Sequence, residues 1–168
     1  MKVQIVLLIF SLFTMNGVAA TKKVKPAPAP AVLQFTPEAI LAEVLKKKNL
    51  ELRPQLPLPK LNLQSQTSLK KFQDDIEPQW NMRPDVFTNA YAFKTNQIFL
   101  MDQAAYYKKT NRCIDDSLAH ELMHYVQVMY QNADLADESL ESEAVDIQTW
   151  FRETHCKLPP KALLPLIF

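Results

Sequence analysis

The sequence predicts a domain of α-helices joined to a few short β-strands, and three patterns predict it. Apolar residues recur at helical spacing over about residues 114–131, which indicates one long helix. A second helical stripe follows over residues 138–154. Two short apolar runs, residues 90–93 and 97–101, are separated by Lys94-Thr95-Asn96, a pattern typical of a β-hairpin.

Weaker signals place the remaining elements. Thr36-Pro37-Glu38 is a helix start with proline at the first helical position, so we expect a helix near residues 37–48. Residues 60–63 alternate as a short strand does. A further helix is expected over residues 67–76, ending before Pro78 because proline lacks the N–H that a helix interior needs.

The first twenty residues have the pattern of a signal peptide. Lys2 is followed by an apolar run over residues 3–15, and Val18-Ala19-Ala20 offers small residues for cleavage after Ala20. A membrane anchor is the alternative, but the run is too short for a comfortable bilayer span, so no stable anchor is expected after cleavage. The chain is therefore expected to be exported, either periplasmic or secreted.

Behind the signal, composition divides the chain into two parts. Residues 21–35 are rich in proline and alanine and are interpreted as a linker, and residues 36–168 as a single domain. The charges nearly balance, with 19 Lys and Arg against 18 Asp and Glu. The lysine clusters carry no interleaved aromatic residues, so no nucleic-acid partner is expected.

The long predicted helix carries the motif H-E-x-x-H, spelled by residues 120–124. Because positions four apart lie one turn above each other, His120 and His124 can reach a single Zn²⁺ while Glu121 serves as general base. Both histidines share a narrow polar strip with Gln127 and Gln131 on an otherwise apolar helix. Two solvent-facing histidines are the alternative, and the glutamate between them favours the metal site.

A catalytic zinc site needs a third protein ligand. The metzincin arrangement is excluded, because Tyr130 stands where its third histidine would be. The following helix offers the carboxylates of Glu138, Glu141, Glu143 and Glu153. Glu143 shares its face with the apolar residues, where an unpaired carboxylate would be costly, whereas Glu141 faces water. Glu143 is therefore predicted as the ligand, with His155 as a more distant rival.

The two cysteines, Cys113 and Cys156, flank the two predicted helices. In an exported chain a pair of cysteines favours a disulfide over two free thiols. A role as zinc ligands is less favoured, because neither cysteine belongs to a C-x-x-C pair. The bond would brace the far ends of an antiparallel helical hairpin.

The segments HELMHYVQ and ESEAVDIQTWF, preceded by NAYAFKTNQIFLM, resemble small exported gluzincin-type zinc metallopeptidase-like domains with H-E-x-x-H-x-x-Q and a later E-x-E-A-x-x-x-Q. The resemblance implies a zincin-like α+β fold, with a small twisted sheet packed on the H-E-x-x-H helix and on an antiparallel glutamate-bearing helix. It also implies His120, His124 and Glu143 as zinc ligands and Glu121 as general base. The last strand, residues 97–101, would edge the cleft and pair with an extended peptide. Asp146 departs from the family pattern, since it follows Glu143 by three residues instead of four.

These patterns predict an exported zinc-dependent metallohydrolase, a peptidase that acts on a peptide or protein substrate with a water activated by the metal and by Glu121. The alternative is a non-catalytic exported zinc-binding or interaction protein with a degenerate metallopeptidase fold. Retention of Glu121 favours the enzyme, because structural bracing needs no base. Candidate oxyanion donors are Tyr106, Tyr107, Tyr125, Tyr130 and His155. Residues 157–168 are either a partner-binding tail or a strap over the core.

Overall fold

The computed structural model describes residues 29–135 and 137–156. Within them the chain forms an α+β fold, which confirms the expected mixture of helices and short strands. The helices are α1 (Pro37–Lys47), α2 (Leu69–Trp80), α3 (Ala104–Thr110), α4 (Ile114–Gln131) and α5 (Ser139–Phe151), and the strands are β1 (Lys60–Leu63), β2 (Ala90–Ala92) and β3 (Gln97–Leu100). A π-helical turn, Arg152–Cys156, continues α5.

The three strands form one mixed sheet in the order β1-β3-β2. β1 runs parallel to β3, with Lys60 opposite Gln97, and β2 runs antiparallel to β3, with Ala90 opposite Phe99. The expected hairpin is thereby confirmed. The expected edge strand is wrong, because β1 occupies the free side of β3 and leaves β2 as the strand at the cleft side of the sheet.

Helix α4 forms the centre of the main core. Leu118, Leu122, Tyr125 and Val126 are fully buried and pack with residues of α1, α5 and the sheet. The helix begins at a capping box, in which the Cys113 sulfur accepts from the Asp116 N–H and the Asp116 carboxylate accepts from the Cys113 N–H. Its bounds match the predicted residues 114–131.

Five asparagines make the left-handed turns of the described chain. Asn49, Asn81, Asn96, Asn111 and Asn132 have φ between 48° and 54°. The last four of them end α2, the β2–β3 turn, α3 and α4, respectively. Asparagine tolerates this conformation better than other residues with a side chain, so it takes the place that glycine usually has.

Helix α2 extends beyond its predicted end. It runs through Pro78 to Trp80 and stops at Asn81, which corrects the expected stop at residue 76. Gln79 explains the extra turn, because its amide donates to the Tyr91 carbonyl and accepts from the Phe93 N–H. This pair of hydrogen bonds ties the end of α2 to β2 and outweighs the single backbone hydrogen bond that proline removes.

Helices α4 and α5 form the expected antiparallel hairpin. Gln127, near the end of α4, donates to the Leu140 carbonyl near the start of α5, and Gln148 donates back to the Asp116 carbonyl at the start of α4. The Cys113–Cys156 disulfide closes the open end of this hairpin, with 6.2 Å between its Cα atoms, as predicted.

The chain before α1 lies along the domain surface. The Ala31 N–H donates to the Asp102 carbonyl at 2.7 Å, and the N–H groups of Gln34 and Phe35 both donate to the Asp115 carboxylate at 2.9 Å. The predicted signal peptide, the linker up to residue 28 and the tail at residues 157–168 lie outside the described residues. In the described ranges no helix combines the length and apolarity needed to cross a bilayer.

Candidate metal centre

The two histidines of the motif point at one spot. His120 and His124 lie one turn apart on α4, and their Nε2 atoms are 3.2 Å from each other. Their side chains are only 13% and 15% exposed. The helical spacing therefore brings together the two nitrogen donors that the sequence selected.

The carboxylate of Glu141 completes a cluster of three donors. Its oxygens lie 3.4 Å from His120 Nε2 and 3.2 Å from His124 Nε2. A tetrahedral zinc ion with bonds of about 2.0–2.1 Å places its ligands about 3.3–3.4 Å apart. Glu141 Oε1 has this separation from His120 and Oε2 has it from His124, and one atom from each residue lies within 4.8 Å of the others, so the three side chains can surround one zinc ion.

Glu143, the predicted third ligand, lies outside this cluster, and Glu141 stands where Glu143 was expected. One of its oxygens accepts from Lys48 Nζ, and the other accepts from Gln127 Nε2 at 2.9 Å. Glu143 does face inward, as its place among the apolar residues suggested. Its carboxylate is paired there with the Lys48 ammonium group at the end of α1. Glu141 is 59% exposed, as expected, yet its exposed side is the rim of the cleft above the histidines.

The surroundings of Glu143 keep it ionised. Burial works to raise its pKa, but the hydrogen bonds from Gln127 and Lys48, together with the Lys48 charge, outweigh burial and hold the pKa below its ordinary value. Both oxygens of the Glu143 carboxylate thus accept a hydrogen bond, one from the end of α1 and one from α4.

Gln127 also contacts the motif directly. Its amide oxygen lies 2.9 Å from Nδ1 of His124, and its amide nitrogen donates to the Leu140 carbonyl as well as to Glu143. Gln127 is completely buried. The sequence placed it on the polar strip of α4, but nothing in that pattern assigned it a contact with His124.

Glu121, between the histidines, is 4% exposed and lies beside the backbone of Tyr91 on β2. Burial raises the pKa of Glu121 to about 8, the Glu141 charge adds to the rise, and a hydrogen bond from the Tyr91 backbone works against it. Glu121 therefore sits in a dry position at the base of the cleft, where a general base would be placed.

His120 is held in a similarly dry environment. Burial, the largest cause, and the neighbouring His124 together lower the pKa of His120 to about 4, although the Glu141 charge works to raise it. Its buried Nδ1 makes no hydrogen bond within the described part of the chain. A neutral imidazole is the form that binds a metal ion.

The cluster lies at the floor of a cleft of about 570 Å³. One wall comes from the end of α2 and from β2, and the other from the α4–α5 connection and the start of α5. The lining residues are Gln79, Trp80, Asn89, Ala90, Tyr91, His120, Glu121, His124, Leu135, Asp137, Glu138, Leu140 and Glu141. The cleft is thus open above all three donors and above the candidate base.

The five candidate oxyanion donors do not line this cleft. Tyr125 donates its hydroxyl to the Pro57 carbonyl, and Tyr107 donates to the Met101 carbonyl. Tyr130 accepts from the Arg53 N–H, and the Tyr106 hydroxyl accepts from Arg112. His155 packs against aromatic rings including that of Phe151. These side chains stabilise the fold on other sides of α4.

Two other sequence candidates are also accounted for. The sulfurs of Cys113 and Cys156 are bonded to each other, so they offer no thiolate to a metal. Asp146, which departed from the family pattern, is exposed on α5. Neither residue adds a donor to the cluster.

Comparison with known proteins gives no relative. No family model, no curated protein and no solved structure matches the chain. The chemistry of the centre therefore has to be inferred from its own donors, their spacing and the cleft above them.

Proposed function

We propose that the protein is an exported zinc-dependent metallohydrolase, and specifically a peptidase of zincin-like fold. His120, His124 and Glu141 would hold the zinc, and Glu121 would act as general base. The observation that carries the proposal is the group of two imidazoles and a carboxylate on two helices, whose ligand atoms lie within 4.8 Å of one another, directly beside a buried glutamate.

The donor set supports a catalytic zinc site over a structural one. Two imidazoles and a carboxylate are typical of zinc hydrolases, whereas structural zinc sites use four protein ligands, most of them cysteines. Among the described residues no fourth histidine, cysteine or carboxylate joins His120, His124 and Glu141. One coordination position would thus be left for water or substrate.

Glu121 supplies the acid–base chemistry of the proposed reaction. A bound zinc ion would polarise the scissile carbonyl and make a water molecule acidic enough to attack it. Glu121 accepts the proton of that water and returns it to the leaving amine. Its backbone partner Tyr91 holds the carboxylate toward the cleft, and burial among α4 and β2 keeps bulk water away from it.

The position of β2 supports a peptide as the substrate. Within the described chain β2 has a neighbouring strand on one side only, and both Ala90 and Tyr91 line the cleft. Gln79 already bonds the Tyr91 carbonyl and the Phe93 N–H of this edge, so an extended peptide would pair with β2 by displacing the Gln79 side chain. Its scissile bond would then run past the histidines, within reach of Glu121.

The disulfide supports export. Disulfides form and persist in oxidising compartments, and Cys113–Cys156 joins both cysteines of this chain. Together with the signal-like sequence of residues 1–20, this favours a periplasmic or secreted protein.

Metal analysis and a peptide-library digest test the proposal together. The purified protein should contain about one zinc per chain and cleave peptides, and a chelator should abolish both. Glu121→Gln should keep the zinc and lose at least about a hundredfold in activity, because it retains the shape but removes the base. Zinc binding without any hydrolysis in the wild type would instead support the non-catalytic zinc-binding alternative.

A further inference from the structure

A chain of polar contacts leads from His124 away from the cleft and ends at α1. His124 Nδ1 lies 2.9 Å from the amide oxygen of Gln127, and the Gln127 amide nitrogen donates to Glu143 at 2.9 Å. Lys48, at the end of α1, donates to the other oxygen of Glu143. The chain thus connects three helices and includes a fully buried glutamine.

The acceptors at the far end fix the orientation of the glutamine amide. An ionised carboxylate and a backbone carbonyl can only accept hydrogen bonds. The Gln127 amide faces two such groups, Glu143 and the Leu140 carbonyl, so its NH₂ must point toward them. Its oxygen is then the atom directed at His124.

The orientation of the amide in turn fixes the tautomer of His124. An amide oxygen also accepts only, so the hydrogen in this contact must be on Nδ1 of the ring. In a neutral imidazole one nitrogen carries the hydrogen and the other carries a lone pair. Nε2 of His124, the atom that faces His120 and Glu141, then has the free lone pair.

We infer that Glu143 is a positioning residue, which acts through Gln127 to hold His124 in the Nδ1–H tautomer with Nε2 free to bind the metal. Lys48 donates to Glu143 and holds its carboxylate in place. The hydrogen on Nδ1 does not rest on the proposed function, because the contacts that place it are present without a metal. The free lone pair on Nε2 does rest on it, since without zinc the Glu141 oxygen 3.2 Å away would accept a hydrogen from this atom.

Long-range ¹H–¹⁵N correlation NMR on the metal-free protein at about pH 8 tests the inference, because it reports which ring nitrogen carries the hydrogen. Wild-type His124 should show a protonated Nδ1. Gln127→Met preserves volume but removes the acceptor, so the His124 signals should move to those of a tautomer mixture. Gln131→Met, the same substitution four residues further on α4, should leave them unchanged.

A second variant keeps the test decisive if the buried Gln127 site does not tolerate methionine. Glu143→Ala lies at a half-buried position and removes one of the two acceptors that orient the amide. It should shift His124 part of the way toward the mixture, with the Leu140 carbonyl retaining the rest. Glu153→Ala, at an exposed position beyond α5, is the matched control.

Zinc affinity provides the second readout. Loss of a group that orients a metal-binding histidine typically weakens metal binding by about 10–100-fold, so Gln127→Met should fall in this range and Glu143→Ala below it. A wild-type His124 without hydrogen on Nδ1, or a protonation of Nδ1 that is unchanged in both Gln127→Met and Glu143→Ala, would overturn the inference even if zinc binds. A wild type with the expected tautomer that binds no zinc would support the inference and refute the proposed function.

Discussion

Removing the Cys113–Cys156 disulfide should lower the free energy of unfolding by about 4 kcal/mol. The bond joins residues 43 positions apart, and the chain-entropy relation for a loop of that length gives about 4 kcal/mol at 25 °C. The stabilisation arises in the unfolded state, where the bond keeps residues 113 and 156 together and so reduces the entropy of the unfolded chain. A loss of this size is a large part of the stability expected for a domain of this length.

The choice of substitution matters, because Cys113 also caps α4 through its sulfur. Cys113→Ser with Cys156→Ala removes the bond but keeps a hydroxyl that can accept from the Asp116 N–H. Cys113→Ala with Cys156→Ala removes the cap as well and should cost about 1 kcal/mol more. The difference between the two double variants separates the capping contribution from that of the bond.

Urea unfolding followed by circular dichroism measures both losses. The Ser/Ala variant should unfold at lower urea with a larger slope, because its unfolded chain exposes more surface. A reducing agent should bring the wild type to the midpoint of the Ser/Ala variant and leave that variant unchanged. A loss below about 1 kcal/mol in the Ser/Ala variant would refute the argument from unfolded-state restriction.

Three further predictions test the candidate metal centre, the packing of Phe72 from α2 and the response of stability to pH. Glu141→Ala should weaken zinc binding, measured by chelator competition, by about tenfold or more. Glu138→Ala, on the same cleft wall, should change zinc binding little. Equal losses in the two variants would contradict Glu141 as the ligand. Phe72→Ala should cost about 3–5 kcal/mol, because Phe72 is fully buried and stacks on Phe87, and the half-exposed Phe93→Ala should cost less than about 1 kcal/mol in the same urea experiment. Burial raises the pKa of Tyr107 to about 12, so the stability that its neutral hydroxyl contributes is complete below about pH 10 and is lost as the pH rises from about 10 to 12. The stability of Tyr107→Phe relative to the wild type should therefore rise across that interval, and a constant difference would show that the hydroxyl titrates alike in both states.

Local patterns were sufficient to predict much of the fold. The bounds of α4, the β2–β3 hairpin and the disulfide follow from signals contained within short segments or from the two cysteines alone. The pairing of β1 with β3 could not be predicted in the same way, because the two strands are separated by more than thirty residues and β1 has only four residues with weak alternation. Because the pairing of β1 with β3 could not be predicted, β3 was wrongly expected at the edge of the sheet.

The third donor of the candidate metal centre shows the same limit at the level of a single side chain. The helical wheel correctly placed Glu143 inward and Glu141 toward water. It could not show that Lys48, from a helix nearly a hundred residues earlier, satisfies Glu143. Nor could it show that the water-facing side of α5 at Glu141 is the rim of a cleft above the histidines. Which carboxylate is free depends on the packing of a third helix.

The asparagine turns have a consequence for the unfolded chain. The only glycine of the sequence is Gly17, so the five left-handed positions of the described chain all carry a side chain. Each such residue samples fewer backbone conformations than glycine when unfolded, and therefore loses less entropy on folding. In the folded state the left-handed backbone strains the side chain slightly at each of these five asparagines. In the unfolded state the same side chains reduce the number of backbone conformations at these positions. Compared with glycine at these positions, asparagine thus stabilises the domain by lowering the conformational entropy of the unfolded chain.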